Sequence, residues 1–250
     1  MKTFNRVARS LMPAALGLAL ALALGAGCGD TGQQRVEFPL RAVGNARAAS
    51  FDAFGWQITL DRAELSFGPL YLCASEGASA ELCATARAEV LAAARVDLLA
   101  AREREIGIAH GTSGTMRSAM YDFGITWTTT QPVPTVQPSA PGGHSLRFEG
   151  RATRGAQRFA FVADVDLLPP ARGFRAVQGR RVDATDALDA RALVVGFDAT
   201  AWLSQIDWDA LAQLAQDPVV ITPDSKAANA IVIAIAASAP PTFRFLGDTP

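Results

Sequence analysis

The chain has 250 residues, of which 23 are basic and 24 acidic, and half are hydrophobic, so it is long enough to bury a sizeable core. Three of the basic residues and none of the acidic ones precede Cys28, which leaves the rest of the chain with a net charge of −4. Because nucleic-acid affinity depends on neutralising phosphates with Lys and Arg, this charge argues against a nucleic acid as partner.

The start of the chain has the order of a bacterial secretion signal. A basic beginning is followed by an apolar run over residues 11–24 and by small residues before Cys28. The basic residues are Lys2, Arg6 and Arg9. This order predicts a lipoprotein signal peptide over residues 1–27, lipid attached at Cys28, and a short polar tether over residues 28–34.

Two other outcomes stay open for this segment. The apolar stretch of residues 11–27 is 17 residues long and contains Pro13, whereas a membrane-spanning helix needs about 20, so a retained span is disfavoured. Gly25 stands where lipoprotein signals usually have Leu, which leaves ordinary secretion as the second alternative. Since Gly29 and Asp30 place no acidic residue directly beside the cysteine, we expect lipid anchoring in the outer rather than the inner membrane, facing the periplasm or the cell surface.

The other two cysteines, Cys73 and Cys83, are separated by nine residues. In an exported chain an isolated pair predicts a disulfide, and this spacing differs from that of a zinc knuckle. Closing so short a loop stabilises a fold by roughly 3 kcal/mol in the chain-entropy model. An unbonded, buried pair of thiols is the alternative.

Alternating apolar residues predict many short strands in a single β-rich domain over residues 35–250. In one of these strands the apolar positions are even up to Leu60 and odd from Ala63. Because an alternation of period two cannot otherwise change face, we expect a bulge near Asp61 and Arg62.

The clearest hairpin is predicted over residues 146–167, with its turn at residues 154–156. Further strands are expected at residues 96–99, 121–127, 193–198 and 242–246. Residues 128–143 contain four prolines without periodicity, which predicts a long exposed loop.

Few helices are expected. The alanine-rich segment 82–94 predicts a helix, and Thr200 and Asp207 are candidate N-caps of short helices. Asp224 is a candidate N-cap for a helix through Ala239, although alternating isoleucines there also fit a strand. These elements predict a mainly β fold, a β-sandwich or open barrel with two to three short helices.

A copper site is the chemical hypothesis that the residues best support. His110 precedes Met116 and Met120, which share one face of a strand or helix, and His144 follows. Imidazole and thioether ligands suit copper(I). The alternative is that the methionines fill gaps in the core and the histidines lie in solvated loops.

Other candidate sites are rejected. Ser113 lies in a glycine-rich segment, but Thr115 occupies the last position of the Gly-x-Ser-x-Gly motif, so we predict no catalytic residues. Three aspartates lack the glycine of a calcium loop, and four arginines form a basic patch best explained as a solvated face. These residues are Asp183, Asp186 and Asp189, and Arg172, Arg175, Arg180 and Arg181.

Two parts of the chain carry a resemblance to known proteins. They are residues 55–73, including Gly55-Trp56-Gln57-Ile58 and Gly68-Pro69-Leu70-Tyr71-Leu72-Cys73, and residues 194–208, including Val194-Val195-Gly196-Phe197-Asp198 and Ile206-Asp207-Trp208. They resemble uncharacterised envelope lipoproteins of GC-rich Gram-negative bacteria and, more faintly, MbnP-type lipoproteins, a copper-associated β-sandwich family. The resemblance implies the fold and the location, and no copper ligand of that family is carried over to this sequence.

The sequence therefore predicts a lipid-anchored, non-enzymatic protein of the cell envelope that binds an envelope protein partner or has a structural role. The alternative is a copper-binding lipoprotein that uses His110, Met116, Met120 and His144. No cofactor is expected under the first hypothesis, and copper is the cofactor under the second.

Overall fold

A computed structural model describes residues 32–247. The predicted signal peptide and Cys28 lie outside these residues, and only residues 32–34 of the predicted tether lie within them. Arg35–Pro250 form one compact unit with a hydrophobic core of its own. Between residues 32 and 247, no helix combines the length and the apolar character that crossing a bilayer requires.

Residues 32–247 contain sixteen strands and three short α-helices. The strands are β1 (Arg35–Val43), β2 (Ser50–Ala53), β3 (Trp56–Phe67), β4 (Leu70–Cys73), β5 (Ala86–Val90), β6 (Ala94–Asp97), β7 (Arg104–Thr112), β8 (Thr115–Tyr121), β9 (Ile125–Thr126), β10 (Thr135–Val136), β11 (Leu146–Arg154), β12 (Gln157–Val165), β13 (Arg180–Asp186), β14 (Ala192–Gly196), β15 (Val219–Ile221) and β16 (Thr242–Leu246). The α-helices are α1 (Ala199–Leu203), α2 (Trp208–Ala212) and α3 (Lys226–Ile233), and single 3₁₀ or π-helical turns lie at Ala46–Ala49, Pro141–Gly143 and Ala234–Ser238.

The strands form two large sheets. Sheet I has eight strands in the order β13-β8-β4-β5-β7-β1-β14-β16, and sheet II has six, in the order β15-β12-β11-β3-β2 with β6 also pairing with β3. Strands β13 and β16, the two edges of sheet I, approach each other, so this sheet is nearly closed. The predicted mainly β fold, a sandwich or open barrel with short helices, is confirmed.

The two sheets share one core. Phe67 of β3 in sheet II contacts Tyr121 of β8 and Phe243 of β16 in sheet I, with ring centroids 5.6 and 6.5 Å apart. In the helical part, Trp208 of α2 packs edge-on against Phe161 of β12 at 5.0 Å. Aromatic side chains therefore join the sheets and the helices by burying apolar surface.

The change of face in β3 is confirmed. Leu60 pairs with Gly150 and Arg62 with Glu149, so Asp61 is the extra residue of a β-bulge. Leu60 and Ala63 are consequently both buried, although they are three positions apart and would face opposite sides of a regular strand. The predicted β11–β12 hairpin is also present, with Arg154 pairing with Gln157 across the turn.

Several local predictions were wrong. Residues 82–94 form no helix, because Ala86–Val90 pair as β5 between β4 and β7. The N-cap of α1 is Asp198 instead of Thr200, and that of α3 is Ser225 instead of Asp224, whereas Asp207 caps α2 as predicted. Aspartate and serine side chains each accept a backbone N–H at these caps, and α1 and α3 begin one or two residues away from the positions predicted.

Two further segments differ in part. The strand expected over residues 121–127 is interrupted, since β8 ends at Tyr121 and β9 covers only Ile125–Thr126. Residues 128–143 are largely irregular, as predicted, but they contain β10 and a 3₁₀ turn, and Ala140 is buried. Only part of the proline-rich segment is therefore exposed.

Candidate functional site

Cys73, at the end of β4, forms a disulfide with Cys83, and their Cα atoms are 6.1 Å apart. The predicted disulfide is confirmed. The bond closes a loop of residues 74–82, which we call the disulfide loop. Cys73 itself is buried, so the bond is fixed to the sheet at one end.

The disulfide loop lies against β8 and against the segment that precedes β13. The backbone N–H of Arg175 donates to the carbonyl of Ala80 at 2.7 Å, and that of Gly179 donates to the carbonyl of Ser79 at 3.1 Å. On the other side, the N–H of Cys83 donates to Sδ of Met120 at 3.2 Å. The loop thus covers part of the outer face of sheet I.

Next to this loop is a buried ion pair. Arg175, only 3% exposed, donates from its guanidinium to Oδ2 of Asp122, which is fully buried just after β8. The guanidinium also lies over the ring of Tyr71, 5.8 Å from its centroid. The prediction that Arg175 belongs to a solvated basic face was wrong, because a carboxylate 53 residues away in sequence pairs with it inside the fold.

The pair is incompletely satisfied. Oδ1 of Asp122 and Nε of Arg175 are buried without a hydrogen-bond partner. Burial raises the pKa of Asp122 to about 7, although Arg175 and the N–H of Ala176 act in the opposite direction. A buried ion pair contributes little net stability when desolvation offsets the attraction, so this pair depends on the structure that surrounds it.

The structure separates His110 from the methionines. His110 on β7 lies opposite Glu89 on β5, Glu89 opposite Tyr71 on β4, and Tyr71 opposite Met120 on β8. Three strand spacings correspond to about 14 Å, which is far more than two ligands of one ion allow. The His110 imidazole instead lies 3.0 Å from Oε1 of Glu37.

The remaining members of the predicted copper set also have other partners. Met116 and Met120 are fully buried, and Met116 belongs to the hydrophobic core. His144 lies beside β11 with Nδ1 3.0 Å from Asp166 and Nε2 3.9 Å from Asp164. The four residues are not gathered into one site, and nowhere in residues 32–247 do three His, Cys, Asp or Glu side chains meet in an arrangement suited to a metal ion.

The outer face of sheet II, where His144 lies, carries a row of paired charges. Arg147 donates to Asp164 at 2.9 Å and to Glu149 at 2.8 Å, and Arg62 donates to Glu64 at 2.8 Å. Hydrogen bonding to Arg147 lowers the pKa of Glu149. The charges on this face compensate one another, which describes a solvated surface more than a binding site.

A different feature stands out at the β2–β3 hairpin. Its two turn residues, Phe54 and Gly55, have φ of +50° and +81°, as a two-residue turn with both residues left-handed requires. Glycine takes this conformation freely, whereas phenylalanine does so at a cost. The Phe54 side chain is also 76% exposed.

Phe54 borders an open cleft of about 390 Å³, which we call the hairpin cleft. The cleft is lined by Phe54, Gln205, Ile206, Asp207, Trp208 and Asp209. Ile206 and Trp208 are buried, so the exposed apolar surface comes from Phe54 and the exposed carboxylates come from Asp207 and Asp209.

Hydrogen bonds fix the two carboxylates that line the hairpin cleft. Asp209 accepts from the indole N–H of Trp56 at 3.2 Å and pairs with Arg154, whose guanidinium lies 4.4 Å from the Trp56 ring centroid. The bonds from Arg154 and Trp56 lower the pKa of Asp209, which keeps this carboxylate charged. Asp207 accepts the N–H of Ala210 as the N-cap of α2.

Sequence reasoning missed both Asp122 and the hairpin cleft. An aspartate inside an apolar strand is a signal for a buried polar group that needs a partner, and Asp122 follows Met120 and Tyr121 directly. A phenylalanine before glycine between two alternating stretches is a signal for an unusual hairpin turn. The partners of both residues are distant in sequence, so only the fold identifies them.

Comparisons with known proteins give little further information. No protein family matches the chain, and no curated protein matches it in sequence. Among solved structures, MbnP from Methylosinus trichosporium is similar over 82% of this chain and 89% of that one, with 14% identity and a TM-score of 0.40. The likeness agrees with the faint resemblance seen in the sequence, but at this score no argument about function rests on it.

Proposed function

We propose that this chain is an exported lipoprotein of the bacterial cell envelope whose β domain acts by binding a partner and not by catalysis. The observation that carries the proposal is the bond between Cys73 and Cys83. Disulfides of this kind persist in oxidising compartments outside the cytosol. The bond therefore supports export independently of the N-terminal sequence.

The N-terminal sequence adds the anchor. Cleavage before Cys28 leaves a cysteine at the new amino terminus, and each acyl chain attached there contributes about 0.8 kcal/mol per buried CH₂. Several acyl chains together hold a domain firmly on a bilayer, which is the outer membrane under this proposal. The residues from 29 to 34 are then a polar tether between lipid and domain.

Two observations support binding over catalysis. The two histidines do not share a site, since His110 on β7 pairs with Glu37 on β1, whereas His144, just before β11, pairs with Asp166. The hairpin cleft offers an exposed aromatic ring beside fixed carboxylates, which is an arrangement suited to binding a cationic group. An envelope protein is the proposed partner.

The anchor is tested by growing cells that express the full chain with radiolabelled palmitate. Label is expected in the wild type and in a Cys73→Ser/Cys83→Ser control, and it should be absent from Cys28→Ser. Equal label in Cys28→Ser would refute lipid attachment at this residue. Density-gradient separation of the membranes then tests the outer-membrane location.

Export itself is tested by quenching intact cells in acid and then alkylating free thiols under denaturing conditions, because Cys73 is buried in the folded domain. Cys73 and Cys83 should resist alkylation until a reductant is added. Rapid alkylation of both cysteines without reductant would mean that the domain resides in a reducing compartment, and it would remove the main support for the proposal.

A further inference from the structure

Phe54 occupies a position that folding alone does not favour. Its backbone lies in the left-handed region, φ +50°, and its ring is largely exposed to solvent at the tip of the β2–β3 hairpin. Asparagine or glycine would fit the same turn with less strain and less exposed apolar surface. Residues held in unfavourable backbone conformations are concentrated at ligand-binding sites, and aromatic residues are enriched in interfaces.

The residues that line the cleft beside Phe54 are already held in place. Asp209 is held by Trp56 and Arg154, Asp207 is held by the N–H of Ala210, and the indole N–H of Trp208 donates to the carbonyl of Leu203 at 3.2 Å. A ligand that enters the cleft therefore has little protein to immobilise. Such preorganisation reduces the free energy lost to ordering on binding.

The carboxylates that line the cleft favour a cationic ligand. Arg154 is engaged with Asp209 and stacks on Trp56, whereas the hydrogen bond that the Asp207 carboxylate accepts comes from the N–H of Ala210 in the first turn of α2. An aromatic ring and a carboxylate that line one cleft suit a cation, because the ring attracts it electrostatically and the carboxylate accepts charge-assisted hydrogen bonds.

We propose that the hairpin cleft docks an arginine or lysine side chain of a basic polypeptide, between the Phe54 ring and the Asp207 carboxylate. The cleft of about 390 Å³ has room for one or two side chains. The net charge of −4 that follows Cys28 attracts a basic partner over a longer range and disfavours a second copy of this chain. This inference rests on the proposed function, since it names what the domain binds and where.

The test uses residues 29–250, which retain the compact unit Arg35–Pro250. Isotope-labelled protein is titrated with tetra-arginine amide, tetra-lysine amide and tetra-glutamate amide, and backbone amide shifts are followed by NMR. The basic peptides should shift the signals of Gly55, Asp207 and Asp209, and tetra-glutamate should not. Added salt should weaken this binding.

Two substitutions and two matched controls locate the site. Phe54→Ser removes the ring, and Asp207→Asn removes the charge while its side-chain oxygen still caps α2. Each should weaken binding of the basic peptides by about two- to fivefold. Leu91→Ser alters another exposed apolar residue and Asp198→Asn alters the N-cap of α1, and neither should change the affinity.

Other results would overturn the proposal. Equal binding by all four variants would indicate general attraction to an acidic surface, and no binding would mean that the cleft takes no cation. Phe54-dependent binding to phospholipid vesicles without peptide binding would make the hairpin a membrane contact, and Phe54-dependent dimers in sedimentation would make it a self-contact. Because residues 29–250 lack Cys28, none of these results bears on lipid attachment, and a failed palmitate experiment leaves the cleft unaffected.

Discussion

Replacing Phe54 by asparagine or by alanine measures the backbone strain at the hairpin tip. Both variants lose the phenyl ring and the small part of it that is buried, so this loss cancels when the two are compared. They differ in how well they tolerate φ +50°. Asparagine enters the left-handed region readily because its side chain hydrogen-bonds locally, whereas alanine does not.

We expect Phe54→Asn to be more stable than Phe54→Ala by about 1 kcal/mol, the usual penalty for a Cβ-bearing residue at positive φ. For a domain of this size such a difference raises the midpoint of thermal unfolding by roughly 2–4 °C. Urea unfolding at 25 °C gives the free-energy difference directly, provided that the two variants have the same denaturant dependence.

Leu91 provides the control for this comparison. It is also exposed and lies outside the strands, and its φ is not positive. At that position alanine should be at least as stabilising as asparagine. If Phe54→Ala matches or exceeds Phe54→Asn in stability, the hairpin tip is not strained in solution and one argument for a binding role of Phe54 is lost.

Three further predictions concern the other sites. Cys73→Ala/Cys83→Ala should lower the free energy of unfolding by roughly 3 kcal/mol in urea titrations, and an unchanged midpoint would show that the bond constrains nothing. Because burial raises the folded-state pKa of Asp122 to about 7, above the ordinary 3.8, the folded protein binds this proton more tightly, so stability should fall from pH 5 to pH 8. Asp122→Asn should remove that fall in urea midpoints, and the same pH dependence in the variant would assign it to another group. Any thermal stabilisation of residues 29–250 by copper(I) should survive Met116→Leu/Met120→Leu, and its loss would restore the copper hypothesis.

The sequence predicted features that depend on local alternation. The bulge at Asp61 follows from the change of apolar phase between Leu60 and Ala63, because no regular strand changes face otherwise. The β11–β12 hairpin follows from two alternating stretches around Gly155. Both features depend only on residues that are close in sequence, and both predictions are confirmed.

The error over residues 82–94 has a specific physical cause. Helix propensity favours a helix of alanines, but Ala86–Val90 instead pair with β4 on one side and β7 on the other. A Cβ placed on Gly111 of β7 would lie only 2.0 Å from the carbonyl oxygen of Arg87 and 2.6 Å from Cα of Ala88. Glycine at position 111 therefore leaves room for the backbone of β5 beside β7, and pairing with two neighbouring strands overrides the helix propensity.

The candidate sites were less predictable than the fold, since they join residues that are distant in sequence. Arg175 meets Asp122 from 53 residues away, and Trp56 meets Asp209 from 153 residues away. Residue type alone suggested a copper set, but the register from β7 through β5 and β4 to β8 separates His110 from Met120. Strand order decides which side chains meet, and it is not contained in any local pattern.

The disulfide loop also contributes hydrogen bonds to the folded state, in addition to shortening the unfolded chain. Its carbonyls at Ser79 and Ala80 bind the segment that carries Arg175, and the N–H of Cys83 binds Met120 beneath it. Because desolvation offsets much of the attraction between Arg175 and Asp122, the pair depends on the structure around it, and the disulfide loop is one part of that structure. The cover in turn is anchored to β4 by Cys73. Loss of the disulfide is therefore expected to loosen the cover over the buried charge pair as well as to lengthen the unfolded chain.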